Sequence, residues 1–242
     1  MRRLKIKIIK IIKTVQTTKS LPLGKKEIEE FPRFGLSQYA KRYRENFGTI
    51  DLDISGEVKQ SFKITYEELE QLNRSEMTSD FHCVTTWTKC NLHWSGYRFV
   101  DFFEQLIKPH IALNHSIHWV IFKSLDGYRS RILLSDILNS DSLLADELNG
   151  EALCSKHGAP IRLVAPAHYG YKNPKHLKAI EFHTKDYCFK PPLLSFMEHP
   201  RGRVEFEERG QFLPGWFLRL IYQPLIKSTI KKFEFGMLAK NK

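Results

Sequence analysis

The chain has 242 residues, 42% of them hydrophobic and 12% aromatic, enough apolar material for one sizeable domain or two small ones and too much for a disordered or fibrous chain. Its formal net charge is +11, but six positive charges without an acid lie in residues 1–13 and a net four lie in residues 227–242, so the ends hold ten of the eleven. A nearly neutral body argues against a nucleic-acid groove, whereas basic ends suit an anionic membrane surface or an acidic partner.

Residues 1–15 are predicted to be an amphipathic helix, with Leu4, Ile8, Ile11 and Val15 on one face and Arg3, Lys7 and Lys10 on another. It reads as an interfacial anchor or as a basic tail. Pro22, Gly24, Pro32 and Gly35 make residues 16–49 irregular, and Phe31-Pro32-Arg33-Phe34-Gly35 suits an extended segment crossing a ligand site. Ile50, Leu52 and Ile54 alternate with polar residues and predict a half-buried strand. Thr65 and Glu68 fit a capping box opening a short helix. Asp80–Thr88 reads as strand or loop, and Phe99, Phe102, Phe103 and Leu106 as a helix ended by Pro109. Ile117–Leu125, Arg131–Leu134 and Ile161–Ala165 read as strands, Ser140–Leu148 as a helix ending at Gly150, and Pro174–Ala179 as a helical turn. Strands and helices mix without a βαβ rhythm, so the fold class is α+β. The expected organisation is a basic segment 1–20, one domain 21–226 and a basic tail 227–242. The aromatic stretch Leu213–Tyr222 suits core packing equally with docking on a partner or membrane.

No glycine-rich dinucleotide or phosphate-loop pattern occurs. The start of the chain lacks a secretory pattern, and no uncharged apolar run reaches the roughly 18–20 residues of a membrane span. Four cysteines, Cys83, Cys90, Cys154 and Cys188, are therefore expected as reduced thiols in the cytoplasm, at most peripheral to a membrane. Cys83, beside His82, has three readings. It is a buried small apolar residue, one of a zinc set with His82, Cys90 and His93, or a single thiolate anchoring a cofactor that brings its other ligands. The zinc spacing is poor, since no Cys-x-x-Cys pair exists, but it leaves a non-catalytic zinc- or nucleic-acid-binding module as the alternative function.

Two segments decide for the third reading. Asp80-Phe-His-Cys83-Val-Thr-Thr-Trp87, followed by His93-Trp94-Ser-Gly96-Tyr97, resembles the molybdenum-binding segment of the sulfite oxidase family, in which one cysteine is the protein's ligand to the metal. The match holds at Cys83, Trp87, Trp94 and Gly96; Thr85-Thr86 departs from the residues common after the cysteine, which bears on substrate choice. His157-Gly-Ala-Pro160-Ile-Arg162, a short apolar strand, Pro166 and Tyr169-Gly170-Tyr171-Lys172-Asn173-Pro-Lys175 resemble the family's second motif, which related methionine-sulfoxide reductase catalytic subunits share.

The resemblance implies a sulfite oxidase-type molybdopterin domain and oxygen-atom transfer at a molybdenum ligated by Cys83. It also implies a pterin and its phosphate held by His82, His157, Arg162, Lys172, Asn173 and Lys175, with Arg33, Phe34 and Ser124 as further contacts. Planar Arg forks, lysine ammoniums and a glycine admitting backbone amides suit such a group. Sulfite-oxidising members carry a tyrosine where this chain has Asp146, within the predicted helix 140–148. A carboxylate there is expected to act at the site by repelling sulfite, which favours reduction of a sulfoxide or N-oxide type small molecule. Neither a haem nor a dimerisation domain is expected in these 242 residues, so a separate cytochrome or flavoprotein is the expected electron partner.

Overall fold

The computed structural model describes residues 21–22, 24–33, 39, 42, 49–112, 116–186 and 198–238, with the backbone alone at 233, 234 and 236–238. The predicted helix over 1–15, the 1–20 segment and Phe34 lie outside the described residues.

Alternation sets the strands: in β2 (Asp51–Gly56) Leu52 and Ile54 are fully buried while their neighbours face outward. Two mixed sheets result. One runs β1 (Lys26–Glu27), β5 (Trp87–Arg98), β8 (Leu143–Leu148), β10 (Arg162–Val164), with β4 (Arg74–His82) paired to β5 and β9 (Glu151–Ala152) to β8. The other runs β3 (Phe62–Thr65), β2, β11 (Leu177–His183), β6 (Trp119–Ser124), β7 (Arg129–Leu133). β1–β5 and β2–β11 are parallel; the other pairs are antiparallel.

Helices are few: α1 (Tyr66–Leu69), α2 (Phe99–Phe102), α3 (Leu134–Leu138), α4 (Gly215–Tyr222) and α5 (Ile226–Leu238). The capping box is present at α1, where the Thr65 amide donates to the Glu68 carboxylate at 2.8 Å. The main core joins Leu52, Ile54, Phe122 and Phe182 to Phe99, Phe102 and Ile107. A second, smaller core of Leu92, Trp94, Leu143, Ala145 and Val164 packs against Phe31 and Phe81 and so reaches the site.

Two expectations change. Residues 143–148 form β8, not a helix: Leu143, Leu144 and Ala145 are buried between β5 and β10, and this placement overrides the helical propensity of Leu, Ala and Glu. Residues 177–183 are a strand, preceded by a 3-10 turn at Gly170–Lys172. Trp94 and Gly96 lie inside β5, and helix starts only after Arg98. Gly96 is required there because a Cβ would stand 2.2 Å from the Leu144 carbonyl oxygen on β8.

Candidate cofactor site

Cys83 sits at the tip of the β4–β5 hairpin. Its amide donates to the Trp87 carbonyl at 2.9 Å, and its carbonyl accepts from the Thr86 amide at 3.2 Å. Thr86 closes the turn at φ 86, a left-handed conformation that β-branched residues rarely adopt. The thiol is buried, and its Sγ lies 3.1 Å from the Thr85 hydroxyl. Behind it, Trp87 is buried, and the His82 ring meets the Thr88 hydroxyl across the strands at 2.9 Å.

Two cations from distant parts of the chain grip this tip. The Lys25 ammonium donates to the Cys83 carbonyl at 2.6 Å, and Arg209 donates to the Val84 carbonyl at 2.5 Å. Both stand over the Tyr169 ring, at 4.5 and 5.2 Å. Burial pushes the thiol's pKa up, while Thr85, Lys25 and Arg209 pull it down. Burial, and then Arg209, pushes the Lys25 ammonium down to about 7. The tip is therefore a buried soft ligand flanked by positive charge, suited to holding a thiolate once a metal displaces its proton.

A second group of cations gathers around Arg33 and Lys175. Arg33 is buried, Lys175 partly buried, and both interact electrostatically with Asp126, His157 and His176. Burial and the neighbouring cations hold the His157 and His176 imidazoles down at about 3, so both are neutral near pH 7. Asp126 belongs to the β6–β7 turn, whose Leu125 amide donates to the His176 carbonyl at 2.8 Å. Ser124 opens that turn and is buried. Phe31 links the two halves: it stacks on His157 at 4.8 Å and 4°, and meets Phe81 and Trp87 at 5.1 and 6.3 Å.

The molybdopterin implied by the resemblance brings a phosphate and many polar ring edges. Buried Arg33, beside a Lys175 ammonium that burial and then Arg162 and Arg33 push well down, fits the first, since an anion there would relieve the crowding of like charge. Buried His157 Nδ1, Ser124 Oγ and Thr86 Oγ1, which have no hydrogen-bond partner among the described residues, fit the second.

Other predicted residues turn elsewhere. Arg162 is fully buried and donates to the His157 carbonyl at 2.8 Å and the Asn173 carbonyl at 3.3 Å, with its guanidinium over Trp94 at 5.0 Å. It acts on the site by positioning His157. Asn173 accepts from the Ala165 amide at 2.5 Å and donates to the Tyr169 carbonyl at 3.1 Å, bracing the 165–169 turn. Lys172 donates to the carbonyls of Arg131 and Pro200 at 2.8 and 2.7 Å, away from Lys175.

Asp146 requires correction. Its carboxylate forms a two-pronged pair with Arg74, both bonds 2.9 Å, and Arg74 also reaches Glu147. It stands at the irregularity in β8 opposite Ser95–Gly96, next to Ala145, which pairs with Arg162 on β10. Held by Arg74 in this way, the carboxylate no longer carries the argument that it repels sulfite. The zinc set also fails to assemble: among the described residues no three His, Cys, Asp or Glu groups converge as metal ligands.

Lys25, Arg209 and His176 were missed as site residues. Nothing local marks Lys25 in its Lys-rich loop or Arg209 after two glutamates; only tertiary contacts reveal them. His176 was legible as part of the second motif.

Comparison with known proteins was consistent with this geometry. The family model described as oxidoreductase molybdopterin binding domain matches residues 41–188. The chain is 33% identical over 144 residues to an uncharacterized oxidoreductase, YuiH, of Bacillus subtilis, covering 60% of this chain and 70% of that one. It is 29% identical over 160 residues to the protein-methionine-sulfoxide reductase catalytic subunit MsrP of Campylobacter jejuni, covering 59% of this chain and 52% of that one. The solved sulfane dehydrogenase SoxCD of Paracoccus pantotrophus shares the fold, with a TM-score of 0.52 at 19% identity over 78% of this chain and 60% of that one. The chain thus spans about half of the reductase subunit's length.

Proposed function

The chain belongs to the molybdopterin-binding oxidoreductases, and on that premise we propose that it transfers an oxygen atom, reducing a sulfoxide- or N-oxide-type small molecule in preference to oxidising sulfite. The observation that carries the reading is the pairing of a buried, cation-flanked Cys83 with the Arg33–Lys175 cluster, joined through Phe31. The preference for a sulfoxide rests on the likeness to the methionine-sulfoxide reductase subunit, since Asp146 no longer argues for it.

When bound, the molybdenum–pterin group supplies the two-electron oxygen-atom chemistry. Cys83 is the thiolate that would ligate the metal. Lys25 and Arg209 fix its hairpin through the Cys83 and Val84 carbonyls, and their charge favours the thiolate. Arg33 and Lys175 would hold the phosphate. Neutral His157, positioned by Arg162 and Phe31, and the Ser124 hydroxyl would meet polar edges of the pterin. His82 orients the hairpin from behind through Thr88.

A separate cytochrome or flavoprotein is the proposed electron partner. The cytoplasm is the proposed location; Cys90 and Cys154 form no disulfide among the described residues. Elemental analysis of the full chain, with and without Cys83→Ser, tests the cofactor: stoichiometric molybdenum lost in the variant is expected, and zinc, or molybdenum retained without Cys83, overturns the reading. Steady-state assays of the loaded enzyme with methionine sulfoxide and with sulfite test the direction, and efficient sulfite oxidation overturns it.

A further inference from the structure

We propose that α4 and α5 are the face by which the chain docks peripherally on an anionic lipid bilayer. In α4 Leu218 and Tyr222, one turn apart, are buried against the body. The opposite side carries Trp216, Phe217, Leu220 and Ile221, each between 39% and 59% exposed, without a polar residue among them. A helix that faces water normally places charged or polar side chains there. Phe212 at 72% and Phe235 at 74% exposure extend the apolar surface before α4 and along α5. Side chains that stand so far clear project from the surface; they do not line a groove.

α5 adds the charge. Lys227, Lys231 and Lys232 are exposed, and Glu234 is the one acid in the helix sequence. None of the described side chains of α5 is buried. Among its described side chains Ile226, Thr229 and Ile230 are half-buried and the rest exposed; a helix of this length so lightly held is marginal in water and is stabilised by an apolar surface to lie on. Projecting Trp, Phe and Leu beside a lysine row is the signature of an interfacial helix, with the rings at the acyl boundary and the ammoniums at lipid phosphates. An acidic protein would satisfy the lysines, but a protein interface requires fixed complementarity, and the outer face of α4 offers no polar group to set a register. A fluid apolar phase needs none. Among the described residues no helix is long and apolar enough to cross a membrane.

The test uses the full chain with vesicles of phosphatidylcholine and phosphatidylglycerol in equal parts, against phosphatidylcholine alone, read by co-sedimentation. Partition to the anionic vesicles alone, weakening with salt, is expected. Fluorescence should be quenched by lipids brominated near the headgroup, and Trp216→Phe should remove most of that quenching, because Trp87 and Trp94 are buried and Trp119, half-buried on β6, lies under the Arg131 guanidinium at 5.1 Å. Leu220→Glu with Ile221→Glu should lower partition at least about tenfold. Changing the three lysines to glutamine should lower it roughly 100-fold, at about fivefold each. All these side chains are exposed, and near-UV circular dichroism checks that the fold is kept. Absence of binding overturns the proposal. So does binding that survives the α4 variant, which assigns lipid contact to the basic N-terminal residues. Self-association abolished by the α4 variant, without lipid binding, overturns it in favour of a second copy on this face.

Discussion

Replacing Asp146 with asparagine separates an architectural carboxylate from a catalytic one. The Asp146 side chain is 10% exposed and that of Arg74 41%. An exposed ion pair is worth about 0–1 kcal/mol. Two parallel charge-assisted bonds and a mostly buried carboxylate raise this one to about 1.5 kcal/mol. A double-mutant cycle of Asp146→Asn and Arg74→Met, followed by urea unfolding of the metal-free chain, should therefore give a coupling of about 1–2 kcal/mol. For a domain of this size the single substitution should lower Tm by roughly 2–4 °C. Turnover of the molybdenum-loaded enzyme should stay within about twofold of the parent, since each factor of ten needs about 1.4 kcal/mol in the transition state and both Asp146 carboxylate oxygens are taken by Arg74. A tenfold or greater fall in turnover, with stability and metal content intact, would show that Asp146 meets the substrate and would refute the reasoning.

Lys175→Met should lower the molybdenum and pterin content of the purified chain several-fold without destabilising the apo form, because Lys175 stands among like charges from Arg162 and Arg33; full cofactor content in the variant contradicts its role. Apo-chain stability should be highest above about pH 6.5 and fall as pH drops toward 3, because His157 and His176 are held neutral in the fold and take up protons on unfolding. The slope should approach about 1.4 kcal/mol per pH unit for buried His176 and less for the partly exposed His157; a slope unchanged in His176→Phe sinks this assignment. Arg209→Lys should cost roughly 2 kcal/mol in urea unfolding. It should also speed alkylation of Cys83 in the apo chain at least about tenfold, by freeing the hairpin to open; an unchanged alkylation rate means Arg209 does not hold the loop.

Much of the architecture was legible where alternation or capping was local, as in Leu52–Ile54 and Thr65–Glu68. Leu143–Leu148 was not, because its composition favours helix while its position between two strands is a tertiary fact. The site was legible in the same measure. Cys83, His157 and Lys175 stood in recognisable motifs. Lys172 and Asn173 shared the second motif but direct their donors to backbone carbonyls, and a sequence pattern does not say which way a donor points. Lys25 and Arg209 could be found only from contacts spanning 58 and 125 positions.

Those two spans bear on how the enzyme matures. The hairpin tip is complete once its own short turn closes, but the clamp from Arg209 arrives 125 positions later along the chain. During synthesis at roughly 5–20 residues per second, the thiol is thus made well before its lock. Any factor that delivers the cofactor meets an open tip until the last stretch docks, and a closed one afterwards. Insertion is then easiest before the fold is complete, with Arg209 as the latch that narrows the window for it.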